Sequence, residues 1–285
     1  MEGSINYSGK AGKLSYTVGA NATYSRYQAG EQYKPRFGNS WDQYRNSAMN
    51  RWGGTTWGYH VTGRFQSAQE IANHPVNNDG QGNRTMLPGD FIYQDVNGDG
   101  IINYLDERPI GYAQGWPPFM SFGLNANLSW QNFSLFVGFA GGTMQSLERN
   151  WELKFPYQNN GTSPAYMLED RWHRSDPYNP DSPWVAGLYP AIRKDYGSHA
   201  NNWRNDFWVT NVTYLRLRNL ELGYNLPKPV MDRLGLTALR VYLSGTNLLS
   251  FDNVKQYEID PEIASGNGLV YPTQRLYSAG FNLSF

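Results

Sequence analysis

Cysteine is absent from the 285-residue chain, which excludes disulfide bridges, thiolate metal sites and thiol nucleophiles. The lack of free thiols is also compatible with an oxidising compartment. Basic and acidic residues number 24 each, so the formal net charge is zero and the basic face that nucleic-acid binding requires is not expected. The sequence contains no run of about 18 apolar residues, so no transmembrane helix is predicted. No secretory signal is expected either, because Met1 is followed directly by polar residues.

Aromatic residues, in contrast, make up 15% of the chain, with 21 Tyr and 10 Trp, and there are 30 Gly. Charged residues reach only 17%, below the roughly 25% of ordinary soluble domains. Mean hydropathy is nevertheless −0.63, so uncharged polar residues take the place of the missing charges. Abundant tyrosine and glycine, few charges and no long apolar run favour an all-β protein.

Apolar residues occupy every second position in five segments, which predicts strands with one apolar and one polar face. These segments are 14–24, 120–130, 133–139, 239–243 and 277–285. In 209–224 the alternation changes phase, and a slip of one residue moves each side chain to the other face. We therefore predict a β-bulge near Arg218 and Asn219. Residues 4–8 are interpreted as the end of an earlier strand, with a turn at 9–12.

The predicted connections differ in length according to the end of the sheet at which they lie. The short ones are 9–12, 131–132 and 226–235, and the long ones are 26–118, 141–206 and 250–273. The apolar face ends in aromatic residues, namely Tyr24, Trp130, Tyr224 and Tyr277. Short turns at one end, long loops at the other and an aromatic girdle predict an antiparallel transmembrane β-barrel segment with long extracellular loops. The alternative is an antiparallel sheet of a soluble protein with one solvated face.

One segment, 95–106, has the spacing of a calcium-binding loop inserted in an extracellular loop. A calcium loop places oxygen ligands at its positions 1, 3, 5, 7, 9 and 12, with glycine at position 6. The candidate ligands are Asp95, Asn97, Asp99, the Ile101 carbonyl, Asn103 and Asp106. Asp106 replaces the preferred glutamate, and the flanks predict no helix pair. We expect a structural Ca²⁺ that pins the loop; the alternative is a polar turn without metal.

Enzyme motifs are weak, and we predict that the protein is not an enzyme. Four scattered histidines show no zinc-site spacing, and neither a nucleophile elbow nor a phosphate-binding loop is present. The pair Asp260 and Glu262 could serve a glycosidase, although solvation of a loop is the simpler interpretation.

Tryptophans in the long loops are candidates for stacking on sugar rings. The four candidates are Trp116, Trp172, Trp184 and Trp203. The alternative for each of them is packing of one loop against another.

Several motifs together resemble the SusC/RagA family of TonB-linked outer-membrane transporters. They are PGDFIYQDVNGDGI at 88–101, Ile110-Gly111, FGLNANL at 122–128, Arg171-Trp172 with the proline-rich stretch to Pro183, YLRLRNLELGYNLP at 214–227, VYLSGTNLL at 241–249 and GFNLSF at 280–285. The similarity runs along nearly the whole chain in the order of the family. It covers only the C-terminal portion of the family.

The resemblance implies a C-terminal fragment, residues 1–285, of a barrel of about 22 strands. The signal peptide, the TonB-box segment, the plug domain and the first strands of the family would be missing. It implies a location in the outer membrane of a Gram-negative bacterium, in contact with its lipid. It also implies energy from the TonB complex through the missing part, and a SusD-type surface lipoprotein as partner. The final strand resembles the signal that the barrel-assembly machinery reads, with the residues Tyr277, Phe281, Leu283 and Phe285.

The function that we expect is part of an active importer of bulky nutrients, either oligosaccharides or peptides. The sequence contains no code for the substrate. One alternative is a secreted soluble β-protein that binds carbohydrate through loop aromatics and a calcium loop. A second is a small self-contained eight-stranded barrel with one extra strand within 26–118.

Overall fold

The computed structural model of the chain describes residues 1–33, 35–115, 117–193, 198–263, 266–271 and 273–285. Its strands are β1 (Glu2–Ala11), β2 (Leu14–Tyr24), β3 (Thr55–Gly58), β4 (Val61–Arg64), β5 (Phe91–Tyr93), β6 (Arg108–Tyr112), β7 (Met120–Trp130), β8 (Phe133–Glu148), β9 (His173–Arg174), β10 (Trp184–Val185), β11 (Val209–Asn225), β12 (Ala238–Asp252) and β13 (Leu276–Ser284). The α-helices of the described residues are α1 (Ser40–Asn46), α2 (Ala68–Asn73), α3 (Ala165–Glu169) and α4 (Lys228–Leu234). Their 3₁₀ turns are Tyr104–Asp106, Trp151–Leu153, Gln158–Asn160, Ala200–Asn202 and Lys255–Tyr257.

A seven-stranded antiparallel sheet with the order β1-β2-β7-β8-β11-β12-β13 forms the base of the molecule. Each strand pairs with the long strands that precede and follow it in the chain, so the sheet is a meander. This confirms the prediction of an all-β antiparallel fold. β2 and β7 have the predicted bounds, because strict alternation of apolar and polar residues fixes both of their ends.

Three strands exceed their predicted segments by several residues. β1 is a complete ten-residue strand, whereas only residues 4–8 were interpreted as the end of a strand. Most of its residues are polar or glycine, so it shows no alternation of apolar and polar positions. β8 continues to Glu148 and β12 to Asp252, beyond the predicted alternation. In β8 the last residues are buried among loops, so a one-face apolar pattern no longer describes them.

The predicted β-bulge is confirmed, because the register of β11 shifts between Leu217 and Asn219 against both neighbouring strands. A second shift, between Val212 and Tyr214, was not predicted. Opposite it, Met144 has a φ of 65°, a left-handed conformation that accommodates the extra residue of β8.

The short connections lie at one end of the sheet, as predicted. Gln131 adopts a left-handed φ of 53° in the tight turn between β7 and β8. The third connection contains α4, which the sequence analysis missed. α4 follows Pro227 and is capped by Gly235, whose left-handed φ of 67° lets its backbone N–H donate to the carbonyls of Met231 and Asp232.

The long connections are folded, which the sequence analysis did not predict. We call residues 25–119, 149–208 and 253–275 the loop region. The small sheets β3-β6, β4-β5 and β9-β10 lie in it. Its main core consists of Phe65, Ile71, Met86, Phe91, Tyr93, Ile102, Met167, Tyr189, Ala200 and Trp208. A second cluster joins it to the ends of β8 and β11 through Leu147, Leu153, Val212, Tyr214, Val254 and Ile259.

The two sides of the sheet differ in chemistry. We call the side that carries Leu222, Val241, Leu243 and Phe281 the apolar face; these side chains are between 41% and 68% exposed. We call the side that carries Arg216 and Ser244 the polar face. The aliphatic residues therefore point outward in a band instead of meeting in a compact interior, as an antiparallel barrel wall requires.

No helix within the described residues is both long enough and apolar enough to cross a membrane.

Candidate functional site in the loop region and on the polar face

The predicted calcium loop forms a closed turn at the edge of the loop core. The Asp95 carboxylate accepts from the backbone N–H of Gly98 at 2.7 Å and of Gly100 at 2.8 Å. Asp99 accepts from the backbone of Ile101 at 2.9 Å, and this bond lowers the pKa of the Asp99 carboxyl. Both glycines have positive φ, 74° and 80°, so the backbone can make the sharp turn that the pattern predicts.

The end of the loop is anchored separately from its beginning. Asp106 is 1% exposed, and its two oxygens accept from the backbone of Val96 and Asn103, each at 2.9 Å. Asn103 in turn caps the following 3₁₀ turn. In the described part of the chain, no three acidic, histidine or cysteine side chains lie close enough to hold a metal ion. A cation here would thus need amide and carbonyl oxygens as well, and the calcium site stays a prediction.

The predicted tryptophans that the structure describes lie in different surroundings. Trp172 is 5% exposed and packs under Gly89, where its indole N–H has no partner among the described residues. Trp203 stacks on Tyr93 at 5.7 Å inside the loop core. Trp184 is half-buried beneath the Arg174 guanidinium, 4.5 Å from its ring centre. Trp116 lies outside the described residues. No ring contact joins the three of these tryptophans that the structure describes.

The carboxylate pair at 260 and 262 contacts arginines of the polar face. Arg216, which is 4% exposed, donates to Asp260 at 2.6 Å and to Glu262 at 3.0 Å, and Arg218 also bonds Glu262. Burial alone would raise the pKa of Asp260, but hydrogen bonds, among them that from Arg216, hold it below the ordinary value. These contacts fix the 253–263 segment on the polar face.

The contacts of Arg216 and Arg218 with the carboxylates form a first anchor of the loop region. A second anchor lies where β8 enters that region. The Arg149 side chain is fully buried, with its guanidinium 3.9 Å from the ring centre of Tyr257 and 5.0 Å from that of Trp208. Next to it, burial lowers the pKa of Lys154 to about 8, although the Glu148 carboxylate lies 4.0 Å away. These arginines and this lysine were not predicted from the sequence. Arginines at alternate positions of a strand, as at 216 and 218, are the signal that could have found the first anchor.

The predicted assembly residues lie on β13 and at the position after it. Tyr277 and Phe281 are 76% and 68% exposed, and Phe285 is 90% exposed. β13 pairs with β12 from Leu276 to Ser284, and Phe281 lies opposite Val241. Whether this strand acts as an assembly signal stays a prediction.

The chain is similar to parts of much longer proteins. No family model matches it. TonB-dependent receptor P26 of Formosa agariphila is 30% identical over 242 residues, which are 80% of this chain and 22% of that protein. TonB-dependent receptor P3 of the same organism is 26% identical over 247 residues, 81% of this chain and 22% of that protein. The chain thus spans about a fifth of the length of these curated relatives.

Solved structures show the same fold. The RagAB peptide transporter superposes with a TM-score of 0.62 at 20% identity, over 99% of this chain and 28% of that one. The RagAB peptide importer in its open-open state gives a TM-score of 0.60 at 20% identity, also over 99% of this chain and 28% of that one.

The resemblance to SusC/RagA-type TonB-dependent transporters is confirmed. The fold of the chain is that of an antiparallel β-barrel segment with long loops at one end, as predicted. The relatives are named as receptors and importers rather than as enzymes. In the loop region of this chain, Asp260 and Glu262 both form ion pairs with Arg216.

Proposed function

We propose that the chain is the C-terminal section, residues 1–285, of an outer-membrane active transporter that imports bulky nutrients. The observation that carries this proposal is the pair of matches to TonB-dependent receptors over four fifths of the chain. The uncovered apolar band supports it, because such a band is suited to contact with lipid and a polar face to a water-filled lumen.

In this proposal each part of the chain has a separate task. The polar face, with its serine, threonine and asparagine side chains, lines the path of the substrate. The loop region, fixed to that face by Arg216 and Arg218, presents contacts for substrate and for a SusD-type surface lipoprotein. The TonB complex would supply energy through a part of the transporter outside this chain, and the barrel-assembly machinery would insert the barrel.

The substrate class that we propose is an oligosaccharide or a peptide. The solved structures that resemble the chain are named as a peptide importer and a peptide transporter. Aromatic and amide side chains are abundant in the loop region, and they suit either sugar rings or peptides.

We also propose that the 95–106 loop takes Ca²⁺ as a structural ion. The ligands would be Asp95, Asn97, Asp99, the Ile101 carbonyl, Asn103 and Asp106, and the ion would add positive charge between acidic side chains. The turn is already shaped by its own hydrogen bonds, which supports a role in stability rather than in chemistry.

The experiment that tests the transport proposal uses the full-length protein that contains this chain. We expect it in the outer-membrane fraction, to require detergent for extraction, and to support growth on its substrate only when TonB is present. Screening oligosaccharides and peptides separately as sole nutrients distinguishes the two substrate classes. Recovery in the aqueous phase without detergent would contradict the proposal and favour the secreted carbohydrate-binding alternative.

A further inference from the structure

A cleft of about 660 Å³ lies between α1, the 49–55 segment and β6, apart from every site described above. We call it the outer cleft. Its walls combine basic and aromatic side chains, chiefly Arg26, Tyr44, Arg51, Trp52, Trp57 and Tyr112. Its volume is within the range of small-molecule sites in proteins, which is roughly 300–1,000 Å³.

The outer cleft opens on the side of the apolar face, at its loop end. Tyr24 ends β2 on that face opposite Met120, and the Trp52 ring meets the Tyr24 ring edge-on at 6.4 Å. Asn211 also lines the cleft, whereas the next residue, Val212, is buried in the cluster on the other side of β11. Because neighbouring residues of a strand point to opposite sides, the cleft does not open toward the polar face.

Four guanidinium groups stack on aromatic rings in and behind the outer cleft. The stacked pairs are Arg26 on Tyr112 and Phe119, Arg45 on Trp57, Arg51 on Tyr44 and Trp57, and Arg108 on Tyr44, at 4.5 to 5.8 Å. Glu107 contacts Arg45 at 3.3 Å. Among the described residues, no ion pair joins the other three arginines to a carboxylate. The cleft therefore carries a net positive charge.

The two arginines that line the cleft have spare hydrogen-bond donors in fixed positions. Arg26 donates to the Gly53 carbonyl at 2.8 Å and to the Thr55 hydroxyl at 3.3 Å. Arg51 donates to the Arg45 carbonyl at 3.0 Å and to the Tyr44 carbonyl. Because a guanidinium has five N–H groups, each of the two has three that no hydrogen bond among the described residues uses. A planar guanidinium held in this way suits bidentate binding of a phosphate.

We infer that the outer cleft binds the phosphate group of an anionic glycolipid in the outer leaflet of the membrane. This inference rests on the proposed outer-membrane location. The cleft adjoins the aromatic end of the apolar face, which is the level at which lipid headgroups lie. Trp52, Met49 and Tyr44 are 42% to 49% exposed beside the arginines, so apolar contact surface accompanies the charge. Basic pockets at a membrane surface attract anionic headgroups.

The position of the cleft argues against a soluble substrate as the occupant. A substrate on its way through the barrel would pass along the polar face, and the outer cleft opens on the opposite side. A free phosphate ion has the same chemistry as the headgroup, and the experiment therefore has to separate the ion from the lipid.

The test measures binding of diphosphorylated lipid A to the full-length transporter in detergent micelles, with dephosphorylated lipid A and inorganic phosphate as parallel probes. The variants are Arg26→Gln with Arg51→Gln, and Arg26→Lys with Arg51→Lys. Arg233→Gln, on the exposed surface of α4 at the opposite end of the sheet, is the matched control. The thermal unfolding of each variant is measured alongside.

We expect the phosphorylated lipid to bind the unaltered protein at least about 10-fold more tightly than the dephosphorylated one, as for charge-assisted hydrogen bonds. The glutamine pair should remove that preference, the lysine pair should keep part of it, and Arg233→Gln should leave it unchanged. Equal affinity of the glutamine pair and the unaltered protein, at equal thermal stability, would overturn the inference. So would binding of inorganic phosphate as tight as that of the lipid.

Failure of this inference and failure of the proposed function give different results. A transporter that resides in the outer membrane and imports its nutrient without a preference for phosphorylated lipid would contradict the inference alone. A protein that binds the lipid through Arg26 and Arg51 but imports nothing would contradict the transport proposal alone.

Discussion

The loop region buries its apolar side chains, whereas the seven-stranded sheet exposes those of its apolar face. In the loop region Phe65, Phe91 and Tyr93 are at most 2% exposed. On the sheet, Leu243 and Phe281 are 61% and 68% exposed. Burial of apolar area drives folding in water, so the loop region has a core of its own whereas the sheet lacks one. The comparison teaches that the loop region is suited to water and the apolar face of the sheet to an apolar solvent.

The largest change in stability that tests this comparison is expected from removing an aromatic ring from the core of the loop region. Phe91 has no exposed surface and lies 4.9 Å from the Phe207 ring, so Phe91→Ala should leave a cavity. We expect the free energy of unfolding of the loop region to fall by about 3–5 kcal/mol. Hydrogen exchange of the full-length protein measures this locally.

The control for that substitution is Tyr178→Ala, also in the loop region. Tyr178 is 95% exposed, so this change should alter the stability by less than about 0.5 kcal/mol. Similar effects at the two positions would mean that the loop region has no specific core.

The next largest effect tests the apolar face directly. Leu243 is mostly exposed, so in a water-solvated sheet Leu243→Arg would cost almost nothing. In a lipid-facing position near the middle of the bilayer, the same change should destabilise the folded barrel by about 2–4 kcal/mol. The measurement is the folding equilibrium of the full-length protein in lipid vesicles.

The matched control is Ser278→Arg, on the strand that pairs with Leu243. Ser278 is exposed and lies on the polar face opposite Ser244. We expect an arginine there to be tolerated, because it would point into water. An equal cost at the two positions would contradict the assignment of the faces.

The difference between the regions also explains what the sequence could predict. β2 and β7 were predicted to the residue, because their environment changes at every second position and leaves a pattern of period two. The bulge at 217–219 was predicted for the same reason, since a change of phase shows in the apolar residues.

The loop region left no such pattern. β3, β4 and β5 are three or four residues long, too short to show a period. Their neighbours are distant in the chain, as in the hydrogen bond of Tyr93 to Ala200, 107 residues apart. The calcium-loop turn was predictable because its contacts are local, whereas Arg149 and Lys154 acquire their surroundings only on folding.

A smaller effect follows from the buried lysine of the loop region. Burial lowers the pKa of Lys154 to about 8, whereas an unfolded lysine titrates near its ordinary value of about 10.4. Between these values the unfolded state binds more protons, so the free energy of unfolding should rise with pH from 8 to 10. We expect Lys154 to contribute a rise on the order of 2 kcal/mol, measured by denaturant unfolding at each pH as the difference between the unaltered protein and Lys154→Met.

Two comparisons isolate this contribution. Lys154→Met should remove the rise, because it removes the titrating group. Above pH 10 the trend should reverse, because burial raises the pKa of Tyr59 to about 12 and the unfolded tyrosine loses its proton first. A rise of the same size in Lys154→Met would contradict the assignment to this lysine.

The smallest effect is expected at the 95–106 loop, and it tests whether an ion stabilises a turn that has its own hydrogen bonds. Replacing Asp95→Asn together with Asp99→Asn keeps acceptor oxygens while removing two charges. With calcium at a few times the Kd of about 10⁻⁴–10⁻³ M that is usual for extracellular sites, the ion should add about 1 kcal/mol. The unaltered protein should therefore melt at a higher temperature in calcium than in chelator, and the variant should not.

Asp79→Asn provides the matched control for that measurement. The Asp79 carboxylate also closes a turn, by accepting from the backbone of Gln81, Asn83 and Thr85, but its segment lacks the calcium spacing. Its variant should lose the same stability in calcium as in chelator. Burial alone would raise the pKa of Asp79, yet these hydrogen bonds hold it below the ordinary value, so its charge is satisfied without an ion. If the unaltered protein has the same melting temperature in calcium and in chelator, the calcium proposal is wrong. The 95–106 loop is then a turn closed by hydrogen bonds alone, as the Asp79 turn is.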